Sequence, residues 1–202
     1  MKRSAIFRAF VATAVLGAAV AFGAASVGQP APEFKVKDTS GKEQSLSAYK
    51  GKYVVLEWVN PGCPFVQKHY DTSNMQATQK AAESKGVVWL TVSSTAPDAG
   101  DYRKPGDLAA WLEQKGASPT AALMDDDGKL GKAYGARTTP HMYVINPQGK
   151  LVYAGAIDSK ATARKEDVKT ATNYVLAALD ESLAGKPVTK ATSEPYGCSI
   201  KY

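Results

Sequence analysis

Cysteine is scarce in this chain of 202 residues, with Cys63 and Cys198 its only two. So few cannot form the dense framework of a disulfide-stapled exported domain. Histidine is as scarce, His69 and His141 alone, and no second cysteine stands near Cys63: Val66 lies three residues after it and Asn60 three before. A vicinal dithiol is therefore excluded, and a Cys/His metal cluster would have to draw on distant segments. Lys and Arg are scattered rather than gathered in a stripe, which leaves no nucleic-acid footprint. There are no internal repeats, and the longest apolar run, Val11 to Phe22, is too short to span a bilayer comfortably.

That run follows Lys2, Arg3 and Arg8 and leads into small residues at Ala19-Val20-Ala21 and Gly23-Ala24-Ala25. The arrangement is that of a secretory signal, with an uncleaved anchor helix as the alternative. We expect residues 1–25 to be a signal peptide and the mature protein to be periplasmic or secreted, in an oxidising compartment and without a stable membrane anchor. Removing them takes three basic residues and no acidic one, which halves the net charge of +6. The remainder fits one domain with its own core.

The segment around Cys63 carries the most chemistry. Tyr53 to Val59 is an apolar, β-branched and aromatic run that reads as a buried strand. Asn60-Pro61-Gly62 breaks it, and Pro64 suits the first position of a helix, where its missing N–H is not needed. Cys63 then falls at the helix N-cap, where unpaired N–H groups and the helix dipole favour a thiolate over a thiol. The alternative is an inert core cysteine.

Strands are expected at 34–37, 87–92 and 120–124, with a hairpin of 141–145 and 150–154 around Pro147-Gln-Gly149. Helices are expected from Pro64 to about Lys85, with an interruption near Asp71-Thr-Ser, and over 107–115, 129–134 and 167–184. Ser93 to Lys104 reads as a polar loop at the rim of the site, and 187–202 as a polar tail carrying Cys198. Asp125-Asp126-Asp127-Gly128 lacks the spacing of a calcium loop and reads as a turn. Trp58 is expected in the core. His69, six residues into the helix, turns away from the N-cap and reads as a helix-surface or packing residue, with His141 beside Pro140. Strands alternating with helices give an α/β fold with a central mixed β-sheet flanked by helices.

Four segments over residues 28–186 resemble the thioredoxin-like superfamily. More closely, they are similar to its redoxin branch, the peroxiredoxin-like proteins related to alkyl hydroperoxide reductase and thiol-specific antioxidant domains. The segments are Gln29-Pro-Ala-Pro-Glu-Phe34, the strand–loop–helix from Trp58 to Tyr70, Tyr134-Gly-Ala-Arg137-Thr-Thr139-Pro140, and Val144 to Gly155. The resemblance implies a thioredoxin-like fold and a cis-proline at Pro140 opposite the cysteine helix, with Thr139 presenting backbone groups beside the sulfur. It implies a thiol-dependent oxidoreductase acting through Cys63 on a peroxide or a protein thiol or disulfide. Cys198 would be its resolving cysteine, in cis or across a homodimer, with a separate reductant and no cofactor or metal. The Cys63-Pro64 pair matches the peroxiredoxin pattern. Asn60, where peroxiredoxins carry Thr or Ser, and Leu56, where they carry proline, depart from it. Asn60 as donor and Arg137 as cation complete the candidate site. A non-catalytic binding protein for metal or a partner thiol, and a permanent structural Cys63–Cys198 disulfide, remain alternatives.

Overall fold

The computed structural model describes residues 24–202, so nearly all of the expected signal segment lies outside the described residues. In chain order the strands and helices are β1 (Lys35–Lys37), β2 (Glu43–Ser45), β3 (Val54–Trp58), α1 (Pro64–Asp71), α2 (Asn74–Glu83), β4 (Val88–Ser93), α3 (Pro105–Gln114), β5 (Ala121–Met124), α4 (Lys129–Tyr134), β6 (Thr138–Thr139), β7 (His141–Ile145), β8 (Leu151–Gly155), α5 (Tyr174–Leu183) and β9 (Cys198–Ser199). Five strands form a mixed sheet in the order β5-β4-β3-β7-β8, parallel from β5 to β3 and antiparallel from β3 to β8.

β3 is buried along its whole length, which suits a central strand covered on both faces. Its alternation separates two cores. Val55 faces Val66, Tyr70 and Met75 of α1 and α2, Leu108 of α3 and Val175 of α5. Val54, Leu56 and Trp58 face Phe34, Leu46, and Leu130 and Tyr134 of α4. Trp58 is fully buried, its indole N–H donating to Ser94 Oγ at 2.9 Å. The C-terminal ends of β3 and β4 thus open at the same edge as the N-terminal end of α1, which puts Cys63 at the mouth of the sheet.

Two helical readings are refined. The stretch from Pro64 is two helices, broken at Thr72-Ser73, where Ser73 takes a left-handed φ of 58° and the Thr72 hydroxyl donates to Lys68 O at 2.7 Å. The expected helix over 167–184 is a 3₁₀ turn, Lys165–Thr170, followed by α5. Asn173 separates them because its side chain accepts the Leu176 N–H at 3.0 Å, a helix start that competes with continuation of the preceding turn. The short strands β2, β6 and β9 have no expected counterpart. Among the described residues, no helix is long and apolar enough to cross a membrane.

Candidate active site

The turn after β3 is built by Asn60. Its backbone carbonyl accepts the Cys63 N–H at 3.0 Å and its side-chain oxygen accepts the Gly62 N–H at 2.8 Å. Its amide nitrogen donates to Asp101 Oδ2 at 2.8 Å and Thr95 Oγ1 at 3.4 Å. The backbone carbonyl and both ends of the Asn60 side chain are therefore engaged in and around the turn. Cys63 is the N-cap of α1, with Pro64 at the first helical position and the Cys63 carbonyl accepting from Gln67 at 2.9 Å.

Two other segments close over Cys63, which is 2% exposed. The Thr139–Pro140 peptide is cis, and the Cys63 thiol donates to the Thr139 carbonyl at 3.1 Å. The tail returns within the same chain, β9 pairing antiparallel with β6 so that Cys198 stands opposite Thr139. The two thiols, 135 residues apart in sequence, place their sulfurs 2.6 Å from each other. Burial, and then the hydrogen bond and charge of Cys63, push the Cys198 thiol up to about 12. Cys198 accordingly keeps its proton at neutral pH.

Arg137 stands elsewhere. Its guanidinium pairs with Glu194 at 2.9 Å and is largely exposed, while its carbonyl accepts the Ile200 N–H at 3.0 Å. It contributes backbone to the tail's seat and has no contact with either sulfur. The loop after β4 does reach the site, through Asp101. This carboxylate accepts from Asn60 and ion-pairs with Lys201 at 2.8 Å, which ties the cysteine turn to the chain's end.

Of the two readings of His69, helix-surface or packing residue, the packing one holds: it is fully buried, as is Lys68 beside it. Both face Asp158 and Tyr196, a cluster that helical periodicity alone did not reveal because its other members come from segments about 90 to 130 residues away. The signal available was a Lys-His pair inside an otherwise well-packed helix. Among the described residues, no group of three Cys, His, Asp or Glu side chains is arranged to hold a metal ion.

His141 lies buried next to Pro140. Its Nδ1 accepts the Arg137 N–H at 3.2 Å, and its ring stacks on Tyr143 with centroids 4.6 Å apart. Burial, aided by the Arg137 charge, lowers its pKa from 6.5 to about 3. The unfolded chain thus takes up a proton near pH 6.5 that the folded chain refuses until about pH 3. Stability contributed by the neutral ring is complete above pH 6.5 and is lost as pH falls through this window, by about 1.4 kcal/mol per pH unit. His141→Asn keeps an acceptor for Arg137 and should flatten the acid limb of stability by one proton, measured by urea unfolding between pH 4 and 7. An unchanged slope would contradict the assignment.

Comparison with known proteins agrees with the architecture. Residues 27–154 match the AhpC/TSA family, well over half of the chain. The chain belongs to the AhpC/TSA family. This AhpC/TSA chain is 26% identical over 127 residues to the thiol-disulfide oxidoreductase ResA of Bacillus subtilis, covering 63% of this chain and 65% of that protein. It is 30% identical over 112 residues to the peroxiredoxin Bcp of the same organism, covering 54% and 62%. The chain therefore spans a little under two thirds of the length of these curated relatives. The thioredoxin domain of a thiol-disulfide oxidoreductase from Bacteroides vulgatus superposes with a TM-score of 0.53 at 24% identity, over 72% of this chain and 96% of that one. The fold of this family member is thioredoxin-like, an α/β sandwich around a central mixed sheet.

Proposed function

We propose that this chain is an exported thiol–disulfide oxidoreductase that cycles between a Cys63/Cys198 dithiol and a Cys63–Cys198 disulfide. One observation carries the reading: the chain's two cysteines, far apart in sequence, meet sulfur to sulfur at a helix N-cap facing a cis-proline. Export rests on the basic start and apolar run of residues 1–25.

Exchange with a disulfide fits the site better than peroxide reduction. Asn60 spends its amide on Asp101 and Thr95, and the Arg137 guanidinium pairs with Glu194 on the exposed side of the tail, so neither is directed at a peroxide oxygen beside Cys63. In the oxidative direction, the Cys63 thiolate attacks one sulfur of a partner disulfide. That S–S bond breaks and the partner's other sulfur leaves as a thiolate, which takes up a proton. Cys198 then gives up its proton, and its sulfur attacks Cys63 Sγ, expelling the partner's remaining sulfur. The partner ends as two thiols and the chain as a disulfide, which a dithiol reductant reverses by the same steps.

Mass spectrometry of the mature protein after treatment with oxidised glutathione tests this. The wild type should lose two hydrogens and carry no adduct, Cys198→Ser should retain one glutathione, and Cys63→Ser should show no bridge and react far more slowly. Equal reaction of wild type and Cys63→Ser would remove Cys63 as the nucleophile. A wild-type bridge that mild reductant cannot open would make the pair a static tether.

A further inference from the structure

The tail that brings Cys198 to Cys63 is not held by the sulfurs. Two residues before Cys198, Tyr196 reaches into the buried cluster on the flank of α1. Its hydroxyl donates to Asp158 Oδ1 at 2.5 Å and accepts from His69 Nε2 at 3.1 Å. The direction of the second bond is fixed by Asn74, whose amide nitrogen donates to His69 Nδ1 at 2.8 Å and leaves the ring proton on Nε2. Lys68 Nζ lies 5.3 Å over the tyrosine ring and 3.6 Å from Asp158 Oδ2, and donates to the Lys160 carbonyl at 2.8 Å. The Phe65 ring also packs against the tyrosine, with centroids 5.9 Å apart.

Burying a lysine, an aspartate and a histidine is costly, and an apolar cluster of the same size would stabilise the fold at least as well. Asp158 Oδ2 does not even complete a hydrogen bond. What the cluster does have is a common focus, the hydroxyl and ring of one tail residue. Geometry gives that focus a use. Cys63 caps the helix that carries Phe65, Lys68 and His69, and six helical residues rise about 9 Å. The two residues from Tyr196 to Cys198 span about 7 Å when extended. The helix and the short Tyr196-Gly197-Cys198 link, which bends at Gly197, are thus anchored together at one end by the cluster and meet at the other as two sulfurs.

We infer that Tyr196, clamped by Asp158, His69 and Lys68, is the positioning residue that seats Cys198 on Cys63, an inference that rests on the redox couple proposed above. The tail is also held by Ala191 and Ser193 on β8 and by Ile200 on Arg137; between these holds the clamp is the side-chain anchor next to Cys198, and it presents the second sulfur at one place.

The experiment is equilibration of the full chain with mixtures of reduced and oxidised glutathione, which reads the effective concentration of Cys198 at Cys63. Cys63 displaces one glutathione thiol, and Cys198 then displaces the second as the bridge closes. Tyr196→Phe should lower the equilibrium constant for the bridge by about tenfold or more, the worth of a hydrogen bond to a charged acceptor. The first step alone, capture of glutathione by Cys63 read in a Cys198→Ser background, should keep its rate when Tyr196→Phe is added. A merely structural role would lower the melting temperature of the reduced protein and leave the equilibrium constant where it was, and that result overturns the inference. Should Tyr196→Phe not fold, Phe65→Leu loosens the same ring without stranding a buried charge. It should move the constant in the same direction, and no movement overturns the inference equally. If the wild type itself forms no bridge, the redox reading falls instead.

Discussion

Replacing Gly197 by alanine is expected to unseat Cys198 while leaving the sheet folded. Gly197 has a φ of +133°, which L side chains rarely adopt, and a Cβ there would lie 2.0 Å from the Thr139 carbonyl oxygen and 2.7 Å from its carbon. Those atoms belong to the cis-proline segment that leads into β7, whose pairing with β3 fixes it in the middle of the molecule. The tail is the looser of the two partners, so the tail moves. A strained residue of this kind costs about 3 kcal/mol, which corresponds to a roughly hundredfold weaker Cys63–Cys198 bridge. The measurement is the disulfide fraction in a fixed glutathione buffer, with a melting curve of the reduced protein beside it. A bridge at wild-type strength would show that Cys198 reaches Cys63 by another route.

The largest expected effect on stability belongs to Glu57. This carboxyl is fully buried in β3 and accepts from Tyr70 Oη at 2.7 Å, Trp89 Nε1 at 2.8 Å, Gln79 Nε2 at 3.3 Å and Thr91 Oγ1 at 3.3 Å. Burial outweighs those donors and raises its pKa. Glu57→Leu fills nearly the same space but strands the donors in the core, at about 1–3 kcal/mol for each well-made bond lost. With Tyr70 and Trp89 as the two strong donors, the melting temperature should fall by on the order of 10 °C in a domain of this size. Glu57→Gln keeps one oxygen for the network and should fall less. A leucine variant that melts with the wild type would mean that water or a rotamer change satisfies these groups.

The place of Cys63 at a helix start was legible because its signals are local. A buried strand, a Pro-Gly break and a proline one residue later place Cys63 at a helix start whatever the rest of the chain does. The seat of Cys198 was not, since β6 and β9 are two residues each and their register is decided by contacts across the whole fold. Asn60 and Arg137 show the limit of reading residue types. Both carry the donors expected of a site, but Asp101, Thr95 and Glu194, which engage them, lie 35 to 57 residues away in sequence. His69 reads as surface or packing. A polar residue off the N-cap face fits either place until Asp158 and Tyr196 are found beside it. The single helix expected over 167–184 missed one competing cap, Asn173, whose effect depends on side-chain geometry rather than on periodicity.

The pairing at the outermost strands has a consequence for the protein among its copies. Ala154 of β8 exchanges backbone hydrogen bonds with Ala191 and Ser193, and residues 28–31 bond Gly149 and Leu151 at the base of the same strand. At the opposite rim, Thr39 donates to Ala122 of β5. Both selvedges of the sheet are hemmed by the chain's own ends and loops, leaving little open backbone to recruit a stranger's strand. Shedding the last dozen residues would unpick one hem, and the cost would appear as self-association in a crowded compartment before it appeared as lost redox chemistry.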